Sequence, residues 1–308
     1  ERESELGGNL KNLHYTLEGE DLQTYLKDLM ERVTNHPLVH VMTNTQVISF
    51  SGSRGNFSTG LKAGSSAEVL KIEHGVTILA TGAQEWKPSE YHYGEDPRIL
   101  TQLELEKRIA TRPAEVALAK NIVMIQCVGC RQEDRNYCAR ICCSQSIKNA
   151  LKLKAINPQM DITILFRDMR TYGFKEDYYR EASDKDVKFI RYEPEDKPRV
   201  EAGESDEGRP VLKVTTTDDI LGKKLVIDAD FLSLAAAVIP SAGTQEISRL
   251  FKVALNPDGF FQEAHVKLRP VDFAADGVFR RGDPLGGRVV GQLDLAGHVA
   301  NRINIGRR

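Results

Sequence analysis

Between Gln126 and Ser144 the chain reads QCVGCRQEDRNYCARICCS, which holds Cys127, Cys130, Cys138, Cys142 and Cys143, all five cysteines of 308 residues. Cysteines recruited for packing scatter through apolar segments as small hydrophobes. Five gathered in one charged stretch point instead to shared chemistry. Three chemistries suit the set. Cys127, Cys138, Cys142 and Cys143 are spaced so that four thiolates can reach one iron-sulfur cluster, although this is not the usual ferredoxin run. A zinc site more naturally takes two C-x-x-C pairs, and only Cys127 and Cys130 have that form. Read alone, the same pair is a redox dithiol. Spacing leaves all three open.

The flanking elements must position these thiols. Residues 121–126, NIVMIQ, form a short apolar, β-branched run that predicts a buried parallel strand. The following SQSIKNALKLKAI places Ile147, Ala150, Leu151 and Ala155 at helical spacing, with Lys148, Asn149 and Lys152 on the other side. The cysteine stretch therefore joins a strand to a helix. In a doubly wound α/β fold that junction lies at the carboxyl end of the sheet, where ligands bind and a helix N-terminus favours anions such as thiolates.

IQCVGC, NYCARICCSQSIKNALKLK and the later TILFRDMRTYGFKEDYYREA closely resemble the A subunit of the heterodisulfide reductase family and its relatives in sulfate reducers. The resemblance spans roughly residues 1–279. It implies an α/β fold of two Rossmann-like domains, similar to thioredoxin reductase, and a 4Fe-4S cluster beside FAD. By position, the implied cluster ligands are Cys127, Cys138, Cys142 and Cys143. Cys130 stands where a serine is expected, as a spare thiol or an alternative ligand. The implied function is that of an oxidoreductase: an electron-transfer flavoprotein subunit passing electrons between FAD and the cluster. Its implied partners are the other subunits of a heterodisulfide reductase-like complex, with ferredoxin or hydrogenase-type electron donors. A thiol-disulfide oxidoreductase and a zinc-binding interaction module are the alternatives of another class.

The formal net charge of -2, with 28% charged residues, gives no electrostatic case for nucleic acid. No apolar run reaches membrane-spanning length, and no signal-peptide pattern opens the chain. Clustered, unpaired cysteines predict a reducing, cytoplasmic setting. The opening ERESELGGNLK resembles the segment after the second strand of a flavin-binding domain, which makes Glu1, Gly7 and Gly8 candidate FAD contacts. No G-x-G-x-x-G occurs, so the first domain is expected to be truncated at its N-terminus. GVTILATGAQEWKP supplies Ala80, Thr81 and Gly82, matching the ATG turn where flavin oxidoreductases leave the flavin domain.

Three segments follow from this reading: a first part of the FAD-binding domain at 1–97, an inserted Rossmann-like domain carrying the cysteines at 98–255, and a return to the FAD-binding domain at 256–308. A small antiparallel meander is predicted from strands near 39–42, 46–50, 56–61 and 68–72, after a helix at 20–33. Residues 193–210, rich in Pro, Glu and Gly, read as a turn or flexible loop. Arg167, Arg170 and Tyr172 read as a solvated charged face, and Arg131, Arg135 and Arg140 as charges that offset a thiolate cluster. In the return segment Gly282 and Asp283 match a second flavin contact. Beyond Phe279 the resemblance fails, as a divergent or cloning-derived tail would make it. With the helix N-terminus spent on thiols, no nicotinamide site is expected in the inserted domain.

Overall fold

The computed structural model describes residues 1–280, so Gly282 and Asp283 lie outside the described residues. The chain divides into two compact units, one of residues 1–11, 23–84 and 238–280, the other of residues 12–22 and 85–237. From the sequence these junctions are expected later, at 97 and 255.

In the first unit, helix α1 (Leu22–Thr34) turns its apolar stripe inward and buries Leu26. Strands β1 (Thr45–Ser53), β2 (Asn56–Ala63) and β3 (Val69–His74) form the predicted antiparallel meander in that order. Residues 39–42 do not join it as a strand. Val39 and Val41 are exposed and have no ladder partner, so β-branched composition alone does not make a strand there. His74 has both ring nitrogens engaged, with Thr59 Oγ1 at 2.7 Å and the Val76 carbonyl at 2.9 Å, a structural role. Two short strands follow, β4 (Thr77–Leu79) and β5 (Ala83–Glu85), on either side of the ATG turn.

The second unit is built on a five-stranded sheet. Strand β6 (Ile99–Thr101) leads directly into helix α2 (Gln102–Thr111), followed by α3 (Pro113–Ala117), β7 (Asn121–Val128), α4 (Cys142–Ile156), β8 (Asp161–Phe166), α5 (Lys175–Asp184) and β9 (Val187–Arg191). An antiparallel trio, β10 (Arg199–Glu204), β11 (Pro210–Asp218) and β12 (Lys223–Ala229), precedes β13 (Phe231–Ala236). The sheet order is β6-β13-β7-β8-β9 and every pairing in it is parallel. Both faces of β7 are covered, which is why Ile122, Val123, Met124 and Ile125 form an unbroken apolar run, each no more than 1% exposed. The predicted flexible loop at 193–210 contains β10 instead. Val200 alternates into the core against β11, and that burial outweighs the turn-forming composition around it.

Helix α2 starts on a capping box. Thr101 Oγ1 accepts from the Glu104 amide at 3.3 Å, and Glu104 Oε2 accepts from the Thr101 amide at 2.9 Å. Helix α4 is buried on more sides than its apolar stripe predicts, because Lys148 and Asn149 are buried along with Ile147. Lys148 Nζ meets Glu106 Oε2 at 2.7 Å and the Tyr15 carbonyl at 2.9 Å, while the Tyr15 hydroxyl donates to Asn149 Oδ1 at 2.8 Å. Asn149 Nδ2 in turn donates to Gln102 Oε1 at 2.7 Å. The segment 12–22 is thereby locked onto α2 and α4.

The chain rejoins the first unit through β14 (Val238–Pro240), helix α6 (Thr244–Phe251) and β15 (Val278–Arg280). Strand β14 pairs with β5, and β15 runs parallel to β4. Phe57, Leu79, Phe251, Val253, Phe273 and Val278 make this unit's core. Among the described residues no helix is long and apolar enough to cross a membrane.

Candidate functional site

The cysteine site begins with an irregularity in its central strand. Leu234 of β13 faces Ile125 of β7, but Ala236 faces Val128, so β7 spends one extra residue on the same length of ladder. Within this bulge Cys127 takes a left-handed backbone, with φ at 62°. A bulge re-aims a side chain, and here it turns a thiol out of strand alternation. Gly129 follows at φ 73°, and a Cβ built on it would meet the Trp86 ring at 2.2 Å. The backbone can pass this close to the indole only as glycine.

All five cysteines are free thiols. Cys127, Cys130, Cys142 and Cys143 are buried, and Cys138 is half-buried. Cys142 and Cys143 are the first two residues of α4, so the helix starts earlier than its apolar pattern indicates. Its N-cap, Ile141, makes no side-chain capping bond, which leaves the helix end's partial positive charge facing these thiols. The thiols interact in two pairs. The Cys130 thiol donates to Cys127, and this bond together with the Arg131 guanidinium, whose Nη1 lies 3.8 Å from Cys127 Sγ, pulls Cys127 down to about 6. Cys130 is pushed well up by the same bond and by burial. Cys142 bonds Cys143 in like manner, lowering Cys143 and raising its neighbour, which burial raises further.

Backbone donors hold the remaining sulfurs. The Arg140 amide donates to Cys138 Sγ at 3.3 Å, the Ala139 amide to Cys130 and the Arg170 amide to Cys143. The arginines divide by role. Arg131 is paired with Asp168, which also accepts from Arg170 Nε at 2.7 Å. Arg135 stacks on Trp86, 4.4 Å from the ring centroid, and donates to the Gly129 carbonyl at 2.6 Å, so it braces the turn. Arg140 has an exposed side chain. Arg167 and Arg170, read from the sequence as a solvated face, are half-buried at the site, and Arg167 Nη1 donates to the Arg131 carbonyl at 2.7 Å. Sequence spacing missed both, because they come from the end of the next strand, β8, and only the parallel β7–β8 pairing brings them here.

Among the described residues no three or more His, Cys, Asp and Glu side chains converge as a single metal ion requires. A tetrahedral ion with metal–sulfur bonds of about 2.3 Å draws its sulfurs to within about 4 Å of one another. The thiols here stand as two contacting pairs, Cys127 with Cys130 and Cys142 with Cys143, with Cys130 within electrostatic reach of Cys138 and Cys142 of both Cys127 and Cys130. Free thiols in this number, with the positive charge of Arg131 and Arg167 beside Cys127, are the donor chemistry a thiolate-held iron-sulfur group takes.

The candidate flavin residues fall in the first unit. Asn9 Nδ2 donates to the Ala83 carbonyl at 2.5 Å, tying the Gly7–Gly8 segment to the end of the ATG turn, and Ser241 Oγ donates to the Thr81 carbonyl at 2.9 Å. Ala80, Thr81 and Gly82 are exposed, and Gly82 has φ at 70° with only Ser241 Oγ, at 4.0 Å, near the position a methyl would take. A Cβ at Gly8 would meet nothing within 4 Å. The backbone at Ala80, Thr81, Gly82 and Gly8 is thus open to close approach, whereas a Cβ at Gly7 would meet Lys11 Cγ at 2.9 Å and Leu26 at 3.3 Å. Glu1 is tied elsewhere: its amino group donates to the Met42 carbonyl at 2.9 Å and its carboxylate accepts from the Glu3 amide at 3.0 Å.

The parallel sheet with its cysteine-bearing strand-to-helix turn, and the other unit with its meander, define a thioredoxin reductase-like α/β fold. The solved thioredoxin reductase of T. acidophilum superposes over 94% of this chain and 82% of its own, with a TM-score of 0.54 at 14% identity. That of Lactococcus lactis gives a TM-score of 0.53 at 15% identity, over 90% of this chain and 79% of its own. No family model matches. Among curated proteins, the A subunit of the H(2):CoB-CoM heterodisulfide,ferredoxin reductase of Methanothermobacter thermautotrophicus is 34% identical over 249 residues, covering 76% of this chain and 36% of the relative. The A subunit of the H(2)/formate:CoB-CoM heterodisulfide,ferredoxin reductase of Methanococcus maripaludis is 36% identical over 225 residues, covering 68% and 33%. The chain belongs to the family of heterodisulfide reductase A subunits, and spans about a third of the length of these relatives.

Proposed function

We propose that this chain is an electron-transfer part of a heterodisulfide reductase-like oxidoreductase, working between FAD and a 4Fe-4S cluster. The observation that carries the reading is the gathering of all five cysteines, four of them buried, at one strand-to-helix turn whose helix opens on Cys142 and Cys143. Cys127, Cys138, Cys142 and Cys143 would hold the cluster, and Gly7, Gly8, Ala80, Thr81 and Gly82, with Glu1, Gly282 and Asp283 from the resemblance, would hold FAD. When bound, the flavin supplies exchange between electron pairs and single electrons, and the cluster accepts and forwards electrons singly.

The chain's own residues set the conditions for that exchange. The bulge at Cys127 and the start of α4 fix Cys127, Cys142 and Cys143 from two sides, while Cys130 and Cys138 lie on the loop between them. Arg131 and Arg167 supply positive charge beside Cys127, which offsets the accumulation of negative charge on reduction. Trp86 and Ala237 pack against Cys127 and Cys130 and exclude water from that flank. The partners in this reading are the remaining subunits of the complex and a ferredoxin or hydrogenase-type donor; the relatives' names give a subunit of an H(2)- or ferredoxin-linked reductase for those proteins. Free thiols in this number favour a reducing, cytoplasmic compartment.

The test is anaerobic reconstitution of the full chain followed by assay of iron, acid-labile sulfide and flavin. About four irons and as many sulfides per chain are expected, with iron lost in Cys142→Ser. Zinc in their place, or iron binding indifferent to that substitution, would contradict the reading.

A further inference from the structure

The meander of the first unit ends on an open strand. Its order is β1-β2-β3, so among the described residues β3 (Val69–His74) forms a ladder with β2 alone. Outside that ladder Val69 to His74 make no backbone hydrogen bond among the described residues, and each of them but His74 is exposed. An unpaired flank of this kind is a template for a further strand. Proteins blunt such edges with proline, a bulge or repelling charges. The sequence VLKIEH has no proline and carries one lysine and one glutamate, and the sheet's bulge lies elsewhere, between Val47 and Ser49 of β1.

The side chains of β3 separate by face. Residues directly opposite each other in a ladder share a face, and Leu70, Ile72 and His74 stand opposite Leu61, Thr59 and Phe57 of β2. Thr59 and Phe57 are buried, which makes this the core side of the meander. Leu70 and Ile72 are nevertheless 48% and 37% exposed. The apolar face therefore runs on uncovered at the edge, and covering it stabilises an added strand beyond its ladder bonds. Lys71 and Glu73 take the opposite face, where they pair with each other at 2.9 Å and the Glu73 carboxylate also bonds Ser58.

Strand β3 also complements itself. Two copies of one strand, antiparallel about a two-fold axis through the sheet, place a single residue opposite its own copy, and that residue fixes every other pair. Centring on Lys71 or Glu73 sets like charges face to face. Centring on Val69, Leu70 or His74 leaves half of the strand or less paired. Centred on Ile72, the isoleucine meets itself, Lys71 meets Glu73 on both sides of the axis, and Leu70 meets His74. Only this register matches the charges while overlapping nearly all of β3. We propose that the free edge of β3 is an interface to a second copy of this chain, which adds its own β3 antiparallel and centred on Ile72, joining the two three-stranded meanders into one sheet. The interface lies wholly within the first unit and does not rest on the cluster reading.

Sedimentation of the purified full chain over a range of concentrations should show a monomer–dimer equilibrium. Lys71→Glu sets a carboxylate opposite Glu73 of the second copy, and Glu73→Lys sets an ammonium opposite its Lys71. Each should raise the dimer dissociation constant about tenfold or more, because the symmetry replaces two attractive cross-strand pairs by two repulsive ones. The double exchange restores opposite charges at both pairs and should return the constant to near that of the wild type. Both positions are exposed, so the fold tolerates these changes, and urea unfolding of each variant checks it. Under mild oxidation Ile72→Cys should link to its own copy above the wild-type background, whereas Leu70→Cys, opposite His74, should not. A dimer indifferent to the charge variants, or linking at Leu70→Cys in preference to Ile72→Cys, would overturn the proposal. So would a wild type that stays monomeric throughout, which would leave this edge to another segment or a different protein.

Discussion

Gly129 and Trp86 together determine whether the cysteine turn can form. A methyl at Gly129 would overlap the indole and would also have to sit at positive φ. Gly129→Ala is expected to cost about 2–4 kcal/mol, combining the left-handed penalty with overpacking. Urea unfolding against wild type measures it, and an unchanged midpoint would show that Trp86 moves freely. The arginines allow a second comparison. Arg131 touches Cys127, whereas Arg140 reaches Cys138 only through its backbone. In reconstituted protein, Arg131→Gln should lower the cluster midpoint by about 40 mV, equivalent to about 1 kcal/mol for one electron, and Arg140→Gln should leave it in place. The sequence alone groups Arg131, Arg135 and Arg140 by proximity in the chain. Only the fold separates the one that faces a sulfur from the one stacked on Trp86 and the one in solvent, because a tight turn sends successive side chains in different directions.

At the scale of elements, the site depends on how β7 and α4 are held. Strand β7 is fixed by burial, and its apolar run was legible because a parallel strand covered on both faces needs no polar alternation. Helix α4 was legible in its middle but not at its start, since two cysteines carry no capping signal. Its polar face was hidden too. Lys148 and Asn149 look like solvent residues until the segment 12–22, more than a hundred residues earlier, is seen to cover them. The Lys148–Glu106 pair is buried on both sides, with side chains 6% and 0% exposed, and burial holds the Lys148 ammonium below its ordinary range. Lys148→Met leaves the Glu106 carboxylate without its cation and should destabilise by about 3–5 kcal/mol, whereas pairing it with Glu106→Gln should recover part of that loss. Denaturation of the single and double variants checks this, and equal losses would mean that the pair contributes nothing as a pair. Segments 39–42 and 193–210 depart from what their composition indicates for one reason: strand formation is decided by whether a partner and a core are available.

At the scale of the molecule, two units carry two groups of candidate residues, the thiols in one and the glycine turns in the other. The thioredoxin reductase-like fold and the family were legible from short motifs, because the cysteine spacing and the ATG turn are local features that survive in the sequence as they stand. The junctions at 84 and 237 were not, since the chain crosses between units through strands β5 and β14, which have no linker-like composition. Whether the thiols of the second unit hold a redox cluster is tested most directly by the electron spin resonance spectrum of the anaerobically reconstituted, dithionite-reduced chain, for wild type and Cys142→Ser. A reduced-cluster signal present in the wild type and absent in Cys142→Ser is the predicted result. A wild type that stays silent after reduction, or a signal that survives the substitution unchanged, would contradict it.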